Sequence, residues 1–121
     1  MSWRVGFHDE FEREFRALDS AVQDELLATA LLLGDYGPRL GRPHADTLKG
    51  SVHANMKELR FAAGGGVWRV AYAFDPVRKA ILLVAGDKSG GSGKRFYRQL
   101  IAKADTRFSD PLRRMSSVTK G

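Results

Sequence analysis

Residues 57–74 read KELRFAAGGGVWRVAYAF, and this stretch decides the fold. On either side of the glycine run at 64–66, small or polar side chains alternate with bulky apolar ones, as they do along strands that are buried on one face. Two such strands joined by a short glycine-rich link predict a β-hairpin. When the bulky apolar side chains share the buried face, Arg60 and Arg69 share the opposite one.

The register of this hairpin stays open at the level of sequence, because two pairings satisfy the same pattern. If Leu59 faces Val70, Arg60 lies directly opposite Arg69, and opposed like charges destabilise a sheet unless an anion lies between them. A shift of two residues places Glu58 opposite Arg69, which is an ordinary cross-strand ion pair. The link between the two strands does not decide between the two pairings.

The chain before this hairpin predicts one strand and two helices. Residues 3–7 alternate apolar with small or polar side chains, which favours a short strand. Asp9 is typical of a helix start, and Ser20 begins a capping box that predicts a second helix. Gly34, then Gly37, are expected to end that helix. The pair forms a helical hairpin whose acidic outer faces are explained by solvation alone.

The chain after the hairpin predicts one more strand and one more helix. Residues 80–85 form a continuous apolar run, which is typical of a strand buried on both faces. A flexible glycine-rich loop at 86–93 follows, and a basic helix is expected from about Arg95 to Phe108. Residues 111–121 have nothing to bury, so we expect a flexible tail there.

This order of elements predicts a single α+β domain over residues 1–110. The N-terminal strand and the helical hairpin should pack on one face of a small, mainly antiparallel sheet, and a C-terminal helix should close the domain. The other face of the sheet, which holds Arg60 and Arg69, is expected to stay open to solvent. A length of 121 residues suits one such domain.

Composition excludes several kinds of site. The chain has no cysteine, and its three histidines lack ligand spacing, so we expect no disulfide, no metal site and no cofactor. No apolar run approaches the length of a membrane span, and no apolar signal region follows the first residues. A cytoplasmic protein that does not contact membranes is therefore expected.

The positive charge is concentrated in the second half of the chain. Residues 1–55 carry six Lys or Arg and nine Asp or Glu, whereas residues 56–121 carry fourteen and five. This asymmetry indicates a polyanionic partner for the second half, most simply a nucleic acid. The loop at 90–94 imitates a nucleotide-binding loop but has the wrong residues at two positions, although it can bring Lys88 and Lys94 to a phosphate.

Four segments together resemble the RelE/ParE superfamily of bacterial toxins, and most closely its HigB-like branch, which is related to phage proteins. They are 57–60, 68–72, 82–88 and the pair Phe96-Tyr97. The resemblance runs from Trp3 to about Phe108 and implies a RelE-like fold. It also implies a ribosome-dependent endoribonuclease that cuts mRNA without a metal and thereby inhibits translation. A cognate antitoxin, expected to be a helix-turn-helix protein encoded next to it, would neutralise the toxin.

The resemblance also implies roles for particular side chains. Catalysis would fall to Arg60, Arg69, Lys88 and Tyr97. RNA binding would fall to Lys57, Lys94, Arg95 and Arg98. Arg69 would stabilise charge on the phosphorane, and Tyr97 would stack on a base or assist proton transfer. The general base stays unassigned, with Lys57 and Lys88 as candidates.

Two other functions fit the same fold. ParE-like relatives poison DNA gyrase through protein contact and cut no RNA, and a third reading is a domain that only binds nucleic acid. The cationic residues favour RNA cleavage over the gyrase-poisoning alternative. Trp68, Tyr72 and Phe96 are expected to pack in the core rather than to stack on bases.

Overall fold

The hairpin lies inside the sheet, with a strand on each side of it, in the computed structural model, which describes residues 3–110 and, for the backbone, 115–117. Its strands are β3 (Lys57–Ala63) and β4 (Gly66–Phe74). The other strands are β1 (Arg4–His8), β2 (Ala45–Thr47), β5 (Lys79–Asp87) and β6 (Met115–Ser117). Over the described residues the sheet has six strands in the order β2-β3-β4-β5-β1-β6, and all neighbours are antiparallel except β1 and β5.

The helices lie on both faces of this sheet. They are α1 (Asp9–Arg16), α2 (Ser20–Tyr36) and α3 (Gly93–Ser109), and a short 3-10 turn (Gly37–Arg39) follows α2. The first core joins α1 and α2 to the sheet face that carries Leu59 and Val70. The second core joins Leu100 and Ala104 of α3 to the opposite face. The predicted α+β class, helical hairpin and C-terminal helix are therefore confirmed.

The prediction of an open second face is wrong, because α3 covers part of it. Strand β5 is apolar at every position from Ala80 to Val84, and all five residues are buried. A strand of this kind needs apolar cover on both faces. Helix α3 supplies the second cover, so the face that carries Arg69 is enclosed at one end.

The ends of α2 differ from the prediction. Its N-cap is Asp19 rather than Ser20, and the Asp19 side chain makes no capping hydrogen bond among the described residues, so the expected capping box is wrong. The helix also continues through Gly34, which lies against the backbone of Trp3. It ends at Tyr36, and the capping residue Gly37 has a φ of 57° in the left-handed region. The Cα of Gly37 faces the Trp3 indole, so only glycine fits there.

The expected flexible tail over 111–121 is wrong at Met115–Ser117, where the chain forms β6. This strand pairs antiparallel with β1, with Phe7 opposite Ser116. Without it the outer edge of β1 would present unpaired N–H and C=O groups, which an added strand satisfies. Residues 111–114 and 118–121, the rest of the expected tail, lie outside the described part. Among the described residues no helix has the length and apolarity that crossing a membrane requires.

Candidate functional site

The candidate site is built on the hairpin, where the structure resolves the question of register. Leu59 pairs with Val70, and Arg60 lies directly opposite Arg69. The anion that this pairing requires is Glu58, on the same face of β3 as Arg60. Its Oε2 accepts a hydrogen bond from Arg60 Nη1 at 2.9 Å, and its Oε1 lies 3.7 Å from Arg69 Nε. Arg60 therefore faces Arg69, as in the first of the two predicted registers. Glu58 still pairs with Arg69, which is the ion pair expected from the other register.

These three side chains are more buried than an open face would allow. The exposed fraction of the side chain is 4% for Glu58, 8% for Arg69 and 23% for Arg60. Arg69 is held on further sides, because its Nη1 donates to the Trp68 carbonyl at 2.9 Å and its Nε donates to the Tyr97 hydroxyl at 3.2 Å. The guanidinium of Arg69 is therefore fixed before any substrate binds.

Tyr97 reaches Arg69 because the first turn of α3 lies close to β5. Gly86 pairs with Arg69 across the sheet, and the Phe96 ring occupies the space beside it. A Cβ on Gly86 would lie only 2.7 Å from Phe96 Cε1. Burial raises the pKa of the Tyr97 hydroxyl, the hydrogen bond from Arg69 lowers it, and the nearby Glu58 carboxylate raises it.

Lys88 lies at the edge of the same site. It follows β5, and its Nζ lies 5.5 Å from the centre of the Tyr97 ring, which is a cation–π distance. Its backbone N–H donates to Val67 at 2.6 Å, and the preceding Asp87 carboxylate accepts from the backbone N–H groups of Val67 and Ser89. The hydrogen bonds from Ser89 lower the pKa of Asp87. This turn fixes Lys88 beside Tyr97.

Three of the predicted RNA-binding residues form an exposed basic end of α3. Lys94, Arg95 and Arg98 are all exposed in its first two turns. The helix starts at a Ser92 cap, whose hydroxyl accepts from the Arg95 N–H at 3.3 Å. Because Arg95 and Arg98 are three residues apart, they lie on the same side of the helix.

Lys57 is not brought to this site. Strand alternation places it on the face of Leu59, opposite to the face that carries Glu58 and Arg60. Lys57 therefore does not lie where the RNA-binding role and the general-base role implied by the resemblance would require it.

Tyr72 lies in the core with no exposed surface, and burial raises the pKa of its hydroxyl. Phe96 packs against the second core, as predicted.

Reasoning from sequence missed Glu58 and Gly86 as parts of the site. The sequence pattern indicates Glu58 only as a pairing partner in one register, although alternation along β3 places it on the face of Arg60. Gly86 gave no signal, because its importance depends on the Phe96 ring that packs against it. Among the described residues, no group of three or more His, Asp and Glu side chains is arranged to hold a metal ion.

Known proteins resemble this chain over most of its length. The family model described as "Phage derived protein Gp49-like" matches residues 13–109. "Putative toxin HigB2" of Mycobacterium tuberculosis is 39% identical over 112 residues, which are 89% of this chain and 55% of that protein. "Putative toxin HigB3" of the same organism is 45% identical over 98 residues, 81% of this chain and 83% of that one. The chain therefore spans about half the length of the first relative and most of the second.

A solved structure shares the fold. A free double arginine-to-alanine mutant of the Escherichia coli toxin RelE superposes with a TM-score of 0.61. The superposition covers 85% of this chain and 97% of that one, at 15% sequence identity. At this identity the likeness supports the RelE-like fold alone.

Proposed function

This chain belongs to the Gp49-like family of phage-derived proteins, and from that premise we propose that it is the toxin of a type II toxin–antitoxin system. In this proposal it cleaves mRNA on the ribosome, acts in the cytoplasm and inhibits translation. A cognate antitoxin holds it inactive, and we expect this partner to be a helix-turn-helix protein encoded next to it. The names of the two Mycobacterium tuberculosis relatives support the toxin role.

The observation that carries the proposal is the fixed cluster of Arg60, Arg69 and Tyr97, with Lys88 at its edge. Phosphoryl transfer requires preorganised positive charge where negative charge develops, and arginine forks suit phosphate oxygens. The exposed basic end of α3 lies next to this cluster. It supplies the phosphate contacts that fix a single strand in position without reading its sequence.

In the proposed reaction the 2′-oxygen of one nucleotide attacks the adjacent phosphorus and loses its proton. The bond from phosphorus to the 5′-oxygen breaks, and that oxygen takes up a proton. The products are a 2′,3′-cyclic phosphate and a 5′-hydroxyl end. Arg69 and Arg60 stabilise the phosphorane, while Lys88 protonates the leaving oxygen. The side chains supply all of this chemistry, and no metal ion takes part.

Mapping of mRNA 5′ ends after induction of the chain alone tests this proposal. We expect growth arrest and new 5′ ends inside translated reading frames, because the cationic cluster is present with no inhibitor. A reporter message without a start codon is the control and should stay intact. Normal growth with intact messages, at verified expression of folded protein, would contradict the proposal.

One observation favours a second function. The Arg69 guanidinium already contacts Glu58, Tyr97 and a backbone carbonyl, which is also what a purely structural arginine would do. A toxin of the ParE type, which poisons gyrase without cutting RNA, needs no free guanidinium there. In that case induction would produce double-strand DNA breaks while translated messages stayed intact.

A further inference from the structure

Glu58 is a buried carboxylate that the proposed reaction has not yet used. Its Oε2 accepts from Arg60, but its Oε1 has no hydrogen-bond partner among the residues that the structure describes. A buried carboxylate oxygen without a donor carries a free-energy penalty, so such an atom in a functional cluster needs an explanation. Arg69 Nε lies 3.7 Å from this oxygen, and the same nitrogen contacts the Tyr97 hydroxyl.

The geometry around Arg69 Nε connects Glu58 to Tyr97. This nitrogen lies 3.2 Å from the Tyr97 oxygen and 3.7 Å from Glu58 Oε1, so it stands beside both. Because Arg69 donates to the tyrosine oxygen, the hydroxyl keeps its own proton available for another acceptor. Glu58 raises the pKa of Tyr97, which is the effect expected of a carboxylate that stabilises the protonated phenol.

We propose that Glu58 is the final proton acceptor of RNA cleavage and that it acts through Tyr97. This inference rests on the proposed function. As the 2′-oxygen bonds to phosphorus, its proton passes to the Tyr97 oxygen while the phenolic proton passes to Glu58 Oε1. The bond to the 5′-oxygen breaks, and that oxygen takes a proton from Lys88. Tyr97 is neutral before and after the step, so it never has to ionise.

Burial explains why the transfer needs a relay. Oε1 of Glu58 is inaccessible, whereas Tyr97 is only half-buried and lies beside the exposed basic end of α3. In this scheme the substrate hydroxyl therefore meets the tyrosine oxygen rather than the carboxylate. Tyr97 touches the reacting atoms in this scheme, and Glu58 is a positioning residue that acts through it.

The same proton transfer changes the charge of the cluster while the phosphorane forms. In the free protein Glu58 is the anion that keeps Arg60 and Arg69 together. When Glu58 takes up a proton, both guanidiniums lose this counter-charge just as the phosphorane becomes negative. The two guanidiniums then stabilise the phosphorane of the substrate instead of the protein's own carboxylate. Such a preference for the transition state is the differential binding that catalysis requires.

The other candidates for the base have weaker claims. Asp46 lies next to Glu58 on β2, but Arg42 holds its carboxylate at 2.7 Å, and this hydrogen bond lowers the pKa of Asp46. Its other oxygen accepts from the Thr47 N–H, so both Asp46 oxygens are hydrogen-bonded, whereas Glu58 Oε1 has no hydrogen bond among the described residues. Lys57 lies on the opposite face of the sheet from the arginine cluster.

A double-mutant cycle on cleavage of a translated message tests the relay. We expect Glu58→Gln and Tyr97→Phe each to slow cleavage by about a hundredfold or more, with the double variant no slower than the slower single variant. Glu25→Gln, an exposed glutamate on the far-side helix α2, is the matched control. Losses that multiply in the double variant would overturn the relay, as would a fully active Tyr97→Phe protein. Loss in Asp46→Asn with full activity in Glu58→Gln would overturn it too.

Titration of Tyr97 by NMR gives a readout that does not depend on cleavage. Glu58→Gln should lower the pKa of the Tyr97 hydroxyl relative to the wild type, and Glu25→Gln should leave it unchanged. An unchanged pKa of Tyr97 in folded Glu58→Gln would show that Glu58 and Tyr97 do not interact. If the wild type cuts no translated message, the proposed function and this inference both fail. If the wild type cuts and Glu58→Gln cuts equally fast, only this inference fails.

Discussion

Arg69 contacts the Glu58 carboxylate, the Tyr97 hydroxyl and the Trp68 carbonyl, so its removal should affect both chemistry and stability. We expect Arg69→Ala to reduce cleavage by about a hundredfold or more, equivalent to roughly 3 kcal/mol of transition-state stabilisation. Because Glu58 then keeps one arginine instead of two, the free energy of unfolding should also fall by about 1–3 kcal/mol.

Arg69→Lys is the informative companion to this variant. A lysine restores the charge but lacks the planar fork that contacts two partners at once, so it should not restore cleavage. Thermal melts and cleavage assays, run at a temperature where every variant is folded, separate activity from stability. A folded, fully active Arg69→Ala protein would remove Arg69 from the proposed reaction.

Gly86 permits a second residue-scale prediction. An alanine methyl group there would collide with the Phe96 ring, so α3 should shift and carry Tyr97 away from Arg69. We expect Gly86→Ala to lower the free energy of unfolding by about 1–3 kcal/mol and to reduce cleavage at least tenfold. Gly41→Ala is the matched control, because among the described residues beyond its chain neighbours the added methyl group meets the Arg39 carbonyl only at 4.0 Å. Wild-type melting and cleavage by Gly86→Ala would contradict this account.

For single side chains, alternation along two strands is enough to place Arg60 and Arg69 on one face. It did not reveal that Glu58 lies between them, because that depends on the register, which the glycine link leaves open. It also did not reveal the burial of Arg69. That burial follows from the close approach of α3, and a packing contact between a glycine and a distant aromatic ring leaves no periodic pattern in the sequence.

Helices α1 and α3 pack on opposite faces of the sheet and are joined by a polar cluster around the buried Arg107. Arg107 of α3 donates to Glu14 of α1 at 2.9 Å and to the Leu83 carbonyl at 2.7 Å. Beside it, the buried His8 caps α1, since its Nδ1 accepts from the Glu10 N–H at 3.1 Å. Protonation of this nitrogen would break the cap and place a second positive charge near Arg107.

This cap predicts a loss of stability in mild acid. Burial, and then the charge of Arg107, lowers the pKa of His8 below 6.5, although Glu10 and Asp9 oppose the shift. His8 therefore binds a proton more readily in the unfolded chain than in the folded one. The stabilisation that neutral His8 provides is complete above pH 6.5 and is lost as the pH falls toward the folded-state pKa.

Urea unfolding between pH 8 and pH 5 measures this effect. We expect the midpoint of the wild type to fall in this range. His8→Asn keeps a side-chain acceptor for the cap but removes the titrating group, so its midpoint should change less. An equal fall in both proteins would show that other groups cause it.

The elements themselves were largely predictable, because alternation and helical spacing are local signals. Strands β1, β3, β4 and β5 and helix α3 lie where the sequence placed them, within two or three residues. The exception is β6, over Met115–Ser117. Its three residues carry no strand pattern of their own and are stabilised by the free edge of β1, which no local window contains.

At the scale of the whole molecule, the basic second half predicts how the antitoxin binds. An acidic segment of the antitoxin should cover the exposed basic end of α3, so its affinity should fall as salt rises. Replacing both Arg95 and Arg98 with Gln should weaken binding and flatten the salt dependence.

The matched control replaces Arg13 and Arg16, two exposed arginines of α1, with Gln. This removes the same charge from another surface and should leave affinity nearly unchanged. Isothermal titration at several salt concentrations measures both variants. Binding that does not depend on salt and is weakened by the α1 substitutions would contradict the electrostatic account. The toxin proposal would not be affected by that result.

The position of β1 in the sheet has a consequence for the order of folding. Its residues pair on one side with β5 and on the other with β6, so both partners are synthesised long after it. Such contacts between distant parts of a chain form late and slow the folding of a domain. The β3–β4 hairpin can form from local contacts, but Arg69 acquires Tyr97 only when α3 has also left the ribosome. A nascent chain therefore carries both arginines before its site is complete.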